Sequence, residues 1–199
     1  MEELVLFFIM EKYADWESAY LSSAIRDLSD SAIQVKTVSL SLDPVETIGG
    51  FRTLPDYDLS TVPGNYMGLF LIGGSSWKEE AAKEVLPLVQ KTLDEDRILG
   101  GICAASEFLA VNGFLNQVKH TSNGRESLQE WGPSQYRNPA NYLHQQAVRD
   151  GRIITANGTA TLEFTREASK ALGLASDEVI QEAYQFDKLG YCRLTKEAP

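Results

Sequence analysis

The sequence has little cysteine and histidine and no apolar run long enough to cross a membrane. Its 199 residues include two cysteines and two histidines. Two cysteines are too few for a disulfide scaffold, and nothing indicates an oxidising compartment. The longest apolar run, residues 4–10, is far shorter than the roughly 20 residues of a membrane span. It follows acidic residues rather than lysines, unlike a secretory signal. We therefore expect a cytoplasmic protein that does not interact with membranes.

Basic residues are outnumbered by acidic ones. Lysine and arginine number 18 against 28 aspartates and glutamates, which gives a net charge of −10. This balance disfavours sequence-independent binding of nucleic acid, which needs a basic surface. The composition, 43% hydrophobic and 23% charged, is typical of globular proteins. At roughly 150 residues per domain, the chain is expected to form a single domain over residues 1–199.

Short apolar runs alternate with amphipathic stretches along the chain. Strands are predicted at 5–10, 33–40, 68–72, 98–102, 117–122 and 152–156. Helices are predicted over about 16–28, from Ser76 to about Leu93, directly after Cys103, and over about 161–172 and 176–186. Asp15 is a predicted N-cap, and Ser76 and Glu79 have the spacing of a capping box. The turn-rich stretch 43–64 predicts a small hairpin and a loop.

This alternation predicts an α/β fold, in which a parallel sheet is covered by helices on both faces. Ligands of such sheets bind at the carboxyl ends of the strands. Two unusual segments, Gly73-Gly74 and Gly101–Ala105, lie at predicted strand ends.

The segment Gly101–Ala105 (GICAA) has the pattern of a nucleophile elbow with cysteine in place of serine. Small neighbours suit this tight strand-to-helix turn, in which the backbone of the nucleophile is strained. A thiol at a helix N-terminus is expected to have a lowered pKa. The alternative is that Cys103 is a small buried hydrophobe, since free cysteine is among the most buried residue types.

Three further groups could complete a site around Cys103. The backbone amide of Gly74, with that of Ala104, could form an oxyanion hole, although a glycine pair also simply permits a tight turn. Glu17, just inside the first predicted helix, could hydrogen-bond the Cys103 sulfur. It could equally be a solvated residue that stabilises the helix dipole.

A cysteine hydrolase also needs a base, usually histidine. His120, at a predicted strand end, could approach Cys103, whereas His144 lies in a polar segment. Either histidine could also be a surface residue or a satisfied buried one. Two histidines and one nearby cysteine do not make a metal site, so no metal is predicted.

These segments resemble the DJ-1/PfpI family of the class I glutamine amidotransferase-like superfamily. The resemblance covers about residues 3–173 and rests on matching segments in order: 14–17 (ADWE), 71–74 (LIGG), 101–105 (GICAA), 121–124 (TSNG), 150–156 (DGRIITA) and 158–160 (GTA). It implies a flavodoxin-like, three-layer αβα sandwich with a mostly parallel sheet and Cys103 at a nucleophile elbow. Glu17 would contact the sulfur, and Gly74 and Ala104 would supply oxyanion donors. No cofactor is expected, and because such folds commonly form dimers or larger assemblies, we expect a homodimer.

Two departures from the family pattern limit the function. Asn123 and Gly124 stand where many relatives have a histidine or tyrosine and a proline, and asparagine cannot be a general base near neutral pH. Glutamine amidotransferases carry a late His-x-Glu, whereas this chain has Thr161-Leu162-Glu163 and is therefore not expected to hydrolyse glutamine. A label of intracellular protease is only weakly supported for the same reason.

Three functions remain open. The first is a cysteine-dependent hydrolase, amidase or glyoxalase-like lyase that acts on a small amide or carbonyl compound, with His120 or a bound water as base. The second is a redox-responsive stress protein whose Cys103 is oxidised, which needs no base. The third is a binding module in which Cys103 is inert.

Overall fold

A seven-stranded sheet forms the centre of the computed structural model, which describes residues 3–30, 32–131 and 134–194. In spatial order its strands are β5 (Tyr57–Asp58), β2 (Ile33–Ser39), β1 (Glu3–Phe8), β6 (Gly68–Leu71), β7 (Ile98–Ile102), β9 (Ile153–Ala156) and β8 (Ala147–Asp150). All neighbours are parallel except β8, which pairs antiparallel with β9. The expected mostly parallel sheet is confirmed.

Helices cover both faces of this sheet. The described α-helices are α1 (Asp15–Leu28), α2 (Leu86–Asp94), α3 (Ala104–Val111), α4 (Arg125–Glu130), α5 (Thr161–Leu172), α6 (Asp177–Leu189) and α7 (Tyr191–Leu194). Short 3-10 turns occupy residues 76–78, 80–85 and 139–141. None of the helices in these ranges is long and apolar enough to span a membrane.

Alternate side chains of β1 enter two separate cores, as the period of two in a strand requires. Val5 and Phe7 pack with α1 and α5, including Phe164. Leu6 and Phe8 pack on the opposite face with α2, α3 and the segment around Trp77. The chain therefore has the expected three-layer αβα arrangement.

The predicted hairpin is confirmed: β3 (Val45–Glu46) pairs antiparallel with β4 (Arg52–Thr53). Both capping predictions are wrong. Helix α1 begins at Asp15, and its N-cap position is Ala14. The Asp15 carboxylate accepts a hydrogen bond from the Thr47 hydroxyl instead. The Ser76 hydroxyl donates to the backbone carbonyl of Glu11 at 2.6 Å, so it caps no helix.

Residues 114–158 differ most from the sequence prediction. The predicted strand over 117–122 is absent from the described fold; only a single bridge joins His120 to Tyr142. Strand β8 and helix α4 were not predicted, because four and six residues give too little periodicity to identify an element. The single domain over residues 1–199 stays a prediction.

Candidate active site

Cys103 lies in the one-residue turn between β7 and α3. Its backbone has φ 56° and ψ −130°, a conformation that is strained for any residue other than glycine. The Cys103 N–H donates to the Ala156 carbonyl at 2.9 Å, which fixes the turn against the end of β9. The predicted nucleophile elbow is confirmed, and its thiol is free and partly exposed at the carboxyl ends of the central strands.

Glu17 is buried beside this thiol, with 1% of its surface exposed. Its Oε2 accepts a hydrogen bond from the Gly73 N–H at 2.9 Å. Its Oε1 is buried and has no hydrogen-bond partner by standard geometry among the described residues. The carboxyl group nevertheless interacts with the Cys103 thiol, which counts among the influences on its pKa. Glu17 is therefore a buried neighbour of the thiol and not a solvated residue of α1.

The Glu17 carboxyl group and the Cys103 thiol influence each other's pKa. Burial raises the pKa of Glu17 to about 7. Burial, and then repulsion by the Glu17 carboxylate, raises the pKa of Cys103 to about 11. The pKa of the thiol is therefore not lowered by the helix N-terminus as expected, because desolvation outweighs the donors around the sulfur. At neutral pH the pair holds between one and two protons, and it titrates as a unit.

Glycine at position 158 leaves free a space beside both Cys103 Sγ and Glu17 Oε1. A β-carbon there would lie 2.8 Å from Cys103 Sγ and 3.4 Å from Glu17 Oε1. The sulfur and the unpaired carboxyl oxygen are therefore neighbours across one small gap.

Asn123 occupies the other side of the sulfur. Its Nδ2 lies 3.5 Å from Cys103 Sγ as donor. Its Oδ1 accepts a hydrogen bond from the Gly158 N–H at 2.9 Å, which fixes the orientation of the amide. The sequence identifies Asn123 only as the residue that stands where many relatives have a base. In the structure it is a hydrogen-bond donor to the sulfur.

The two backbone amides predicted to form an oxyanion hole are those of Ala104 and Gly74. The Ala104 N–H, at the start of α3, interacts with the Cys103 sulfur and favours its thiolate. Gly74 lies antiparallel to Tyr13, and its N–H has no protein partner within the described part of the chain. A β-carbon at Gly74 would lie 2.5 Å from the Lys12 carbonyl, so only glycine permits this approach.

The surroundings of His120 argue against its proposed role as base. The ring is fully buried, and its Nδ1 bonds the Val118 carbonyl while Nε2 bonds the Tyr136 hydroxyl, each at 2.9 Å. Both nitrogens are thus engaged, and burial lowers the pKa of His120. His144 is exposed and packs edge-on against Tyr142.

A polar cavity of about 500 Å³ adjoins Asn123. Its lining residues are Thr121, Ser122, Asn123, Gly124, Glu126, Tyr142, His144, Gln145, Gln146 and Asn157. In the described ranges, no group of three or more histidine, cysteine or acidic side chains is arranged to hold a metal ion.

Sequence reasoning missed Gly158, Asn123 as a donor, and Glu107. Glu107 carried a signal, since it is the one charged residue in the mainly apolar helix 104–111. Asn123 and Gly158 carried none, because their function depends on contacts across 20 and 35 positions of sequence.

Comparison with known proteins finds relatives across nearly the whole chain. The family model described as "DJ-1/PfpI family" matches residues 3–171. The chain is 36% identical to a Bacillus subtilis protein named "Uncharacterized protease YdeA", over 94% of this chain and 91% of that one. It is 30% identical to another B. subtilis protein, "Uncharacterized protease YoaZ", over 92% and 90% of the two chains.

Solved structures agree. The DJ-1 superfamily protein Atu0886 from Agrobacterium tumefaciens matches with a TM-score of 0.83 and 33% identity, over 92% of this chain and 96% of that one. A ThiJ/PfpI family protein from Bacillus anthracis matches with a TM-score of 0.89 and 29% identity, over 96% and 92% of the two chains. With the elbow cysteine in place and the sequence matched from the first strand to the fifth helix, the chain belongs to the DJ-1/PfpI family.

Proposed function

We propose that this protein is a cysteine-dependent hydrolase of small amides or other small carbonyl compounds. The observation that carries the proposal is that Cys103 Sγ and Glu17 Oε1 face one gap, which Gly158 leaves open. Acyl transfer requires at least a nucleophile and a neighbouring group that accepts its proton. The protease names of the B. subtilis relatives support hydrolysis in general but identify no substrate.

In the first step Cys103 Sγ attacks the carbonyl carbon, and Glu17 takes the thiol proton. A carboxylate whose pKa is about 7 suits this task, because a general base is most effective when its pKa is near the working pH. The carbonyl oxygen gains the negative charge of the tetrahedral intermediate. The amides of Gly74 and Ala104 would stabilise that charge as an oxyanion hole.

In the second step the C–N bond breaks, and the Glu17 O–H protonates the departing amine. The acyl group remains on Cys103 as a thioester. Water then attacks this thioester while Glu17 accepts its proton, and the carboxylic acid leaves as the sulfur recovers a proton. One carboxyl group serves both half-reactions, so the scheme needs no histidine and is compatible with Asn123 in place of one.

The test is turnover of a panel of small amides and 2-oxoaldehydes, together with iodoacetamide labelling of Cys103, all in a Cys192→Ser background. Cys103→Ser should abolish turnover. Wild-type labelling should rise with pH through about 7 as Glu17 ionises, and Glu17→Gln should remove that rise. Turnover that survives in Cys103→Ser, or labelling that is indifferent to Glu17, would refute the proposal. Conversion of 2-oxoaldehydes without hydrolysis of any amide would identify a glyoxalase-like lyase instead.

Glutamine hydrolysis is not proposed. Glu163, where an amidotransferase would carry the last member of its His-x-Glu pair, accepts hydrogen bonds from Tyr184 and Lys188 of α6, each at 2.8 Å. It is therefore engaged with a neighbouring helix.

Oxidation of Cys103 is a second candidate function, favoured by its partial exposure and by the donor from Asn123. The thiolate would displace hydroxide from hydrogen peroxide and become sulfenic acid, and a second peroxide would give sulfinic acid. The sulfur oxygens could then accept hydrogen bonds from Asn123 and from protonated Glu17. Mass spectrometry after peroxide treatment tests this: equal oxidation of Cys103 and exposed Cys192 contradicts a specific redox role. An inert Cys103 in both assays would leave the binding-module function.

We also propose a cytoplasmic homodimer. The hairpin and the start of α1 adjoin one another through the Thr47–Asp15 hydrogen bond, and together they expose apolar side chains at Trp16, Tyr20, Ile48, Phe51 and Leu54. Phe51 and Leu54 are 71% and 70% exposed, and large exposed apolar patches typically mark an interface. Sedimentation should show a dimer that Phe51→Asp with Leu54→Asp converts to a monomer; an unchanged mass would contradict this surface.

A further inference from the structure

Glu107 is a buried acid that the proposed reaction does not use. It lies on α3 one turn after Cys103, with 5% of its surface exposed, between side chains that enter the core. Its N–H bonds the Cys103 carbonyl at 3.4 Å. A carboxyl group in such a position is costly unless it is hydrogen-bonded or neutral, so we expect Glu107 to be hydrogen-bonded, neutral or both.

The hydrogen bonds of Ser127 indicate a protonated Glu107. The Ser127 hydroxyl contacts both the Glu107 carboxyl group and the Gly124 carbonyl, the latter at 2.7 Å. A hydroxyl has one hydrogen to donate, so it cannot donate to both oxygens. Both contacts become hydrogen bonds if Glu107 donates to Ser127 and Ser127 donates to Gly124. Burial likewise raises the pKa of Glu107, against the opposing influence of Ser127, Asn123 and the Lys78 charge.

This chain of hydrogen bonds ends beside Asn123. Gly124 directly follows Asn123 in sequence, and the Asn123 side chain is among the donors that oppose the rise in the pKa of Glu107. On the opposite side, the Asn123 oxygen is held by the Gly158 N–H. The amide nitrogen is thereby left directed at Cys103 Sγ.

We propose that Glu107 is a positioning residue that holds the Asn123 amide against Cys103, so that a fixed hydrogen-bond donor to the thiolate occupies the place where relatives have a base. Glu107 acts through Asn123 and Ser127 and does not touch the substrate. The inference rests on the proposed function only in taking Cys103 as the reacting atom.

The test is the pH profile of Cys103 alkylation by iodoacetamide in Cys192→Ser protein. A hydrogen bond to a charged group contributes about 1.5–3 kcal/mol, so loss of the Asn123 donor should raise the pKa of the Cys103 thiol. The inflection that belongs to the thiol, as distinct from the one that Glu17 gives near pH 7, should therefore move upward by at least about one pH unit. Because a more basic thiolate is also more nucleophilic, the rate below the inflection should fall by only about threefold. Asn123→Ala and Glu107→Ala are each expected to give this shift.

A double variant separates positioning from a general structural effect. If Glu107 acts through Asn123, the combined variant should shift no further than Asn123→Ala alone. Glu107→Gln, which can still donate to Ser127, should restore the wild-type profile, and Ser127→Ala should reproduce part of the shift even if Glu107→Ala fails to fold. Glu130→Ala, at the exposed end of the same helix α4 and outside the cavity lining, is the matched control and should change nothing.

Additive shifts, or an unchanged profile in Glu107→Ala and Ser127→Ala, would overturn the inference. The alkylation profile requires no turnover, so the inference and the proposed hydrolase function can fail separately. A chain that hydrolyses none of the test amides can still show the Glu107 effect, and an active hydrolase can lack it.

Discussion

Glu17 Oε2 accepts a hydrogen bond from the Gly73 N–H at 2.9 Å, between residues 56 positions apart in sequence. The bond connects the first turn of α1 to the end of β6 and orients the carboxyl group. The other carboxyl oxygen, Oε1, then lies on the side of the Cys103 sulfur. A single backbone amide therefore decides which carboxyl oxygen can exchange a proton with the thiol.

Glu17 should make the stability of the protein depend on pH. Its pKa is raised from 4.5 to about 7 in the folded chain, so the folded state retains a proton that the unfolded state releases. The resulting stabilisation is fully present below about pH 4.5 and is lost as the pH rises to about 7. Replacement by glutamine removes this dependence.

We compare the unfolding free energy of Glu17→Gln with that of the wild type. Between pH 4.5 and pH 8 this difference should change by roughly 2–3 kcal/mol in favour of the variant. Urea denaturation of both proteins at each pH measures this difference, and the comparison cancels the contributions of all other carboxylates. A difference that stays constant with pH would show that Glu17 has an ordinary pKa.

Gly158→Ala should block the site without disturbing the fold. The new β-carbon would lie 2.8 Å from Cys103 Sγ, whereas Gly158 has no positive φ, so the backbone accepts alanine. Because displacement of a reacting group by about 1 Å can cost about a hundredfold in rate, turnover should fall by about that factor with little change in melting temperature. Gly64→Ala, where a β-carbon meets nothing within 4 Å, is the control. Full activity in Gly158→Ala would mean that substrate approaches the sulfur from elsewhere.

His120→Ala should destabilise the protein and leave Cys103 reactivity nearly unchanged. The substitution removes hydrogen bonds to the Val118 carbonyl and the Tyr136 hydroxyl and leaves a buried cavity. We expect a loss of about 2–4 kcal/mol, measured by urea denaturation. The alkylation profile of the folded variant should match that of the wild type; a loss of its inflection would restore His120 as a catalytic candidate.

Cys103→Gly should be more stable than Cys103→Ala. The backbone at this position has φ 56°, which glycine adopts without strain, and such strain costs about 1–3 kcal/mol. Comparison of two variants that both lack the thiol separates the backbone from the side chain. Calorimetry that finds alanine equal or superior would show that the turn is not strained.

The sequence predicts the scaffold better than the site. Helix α5 over 161–172 and strand β7 over 98–102 were predicted with their observed bounds, because long amphipathic periods and short buried runs are local signals. The elbow at Cys103 follows from the same local pattern. His120 shows the limit: its type and position suit a base, but its burial and its bond to Tyr136, 16 residues away, depend on how a loop without regular structure packs.

The groups around Cys103 come from α1, from the ends of β6 and β9 and from the loop at Asn123, so they meet only when the sheet is complete. During synthesis the ribosome releases Gly158 long after Cys103, and folding of such parallel topologies awaits these distant segments. A nascent or locally unfolded chain therefore carries Cys103 as an ordinary thiol. The environment that sets the reactivity of Cys103 therefore forms late in folding. Labelling of this residue also reports whether the chain has reached its native structure.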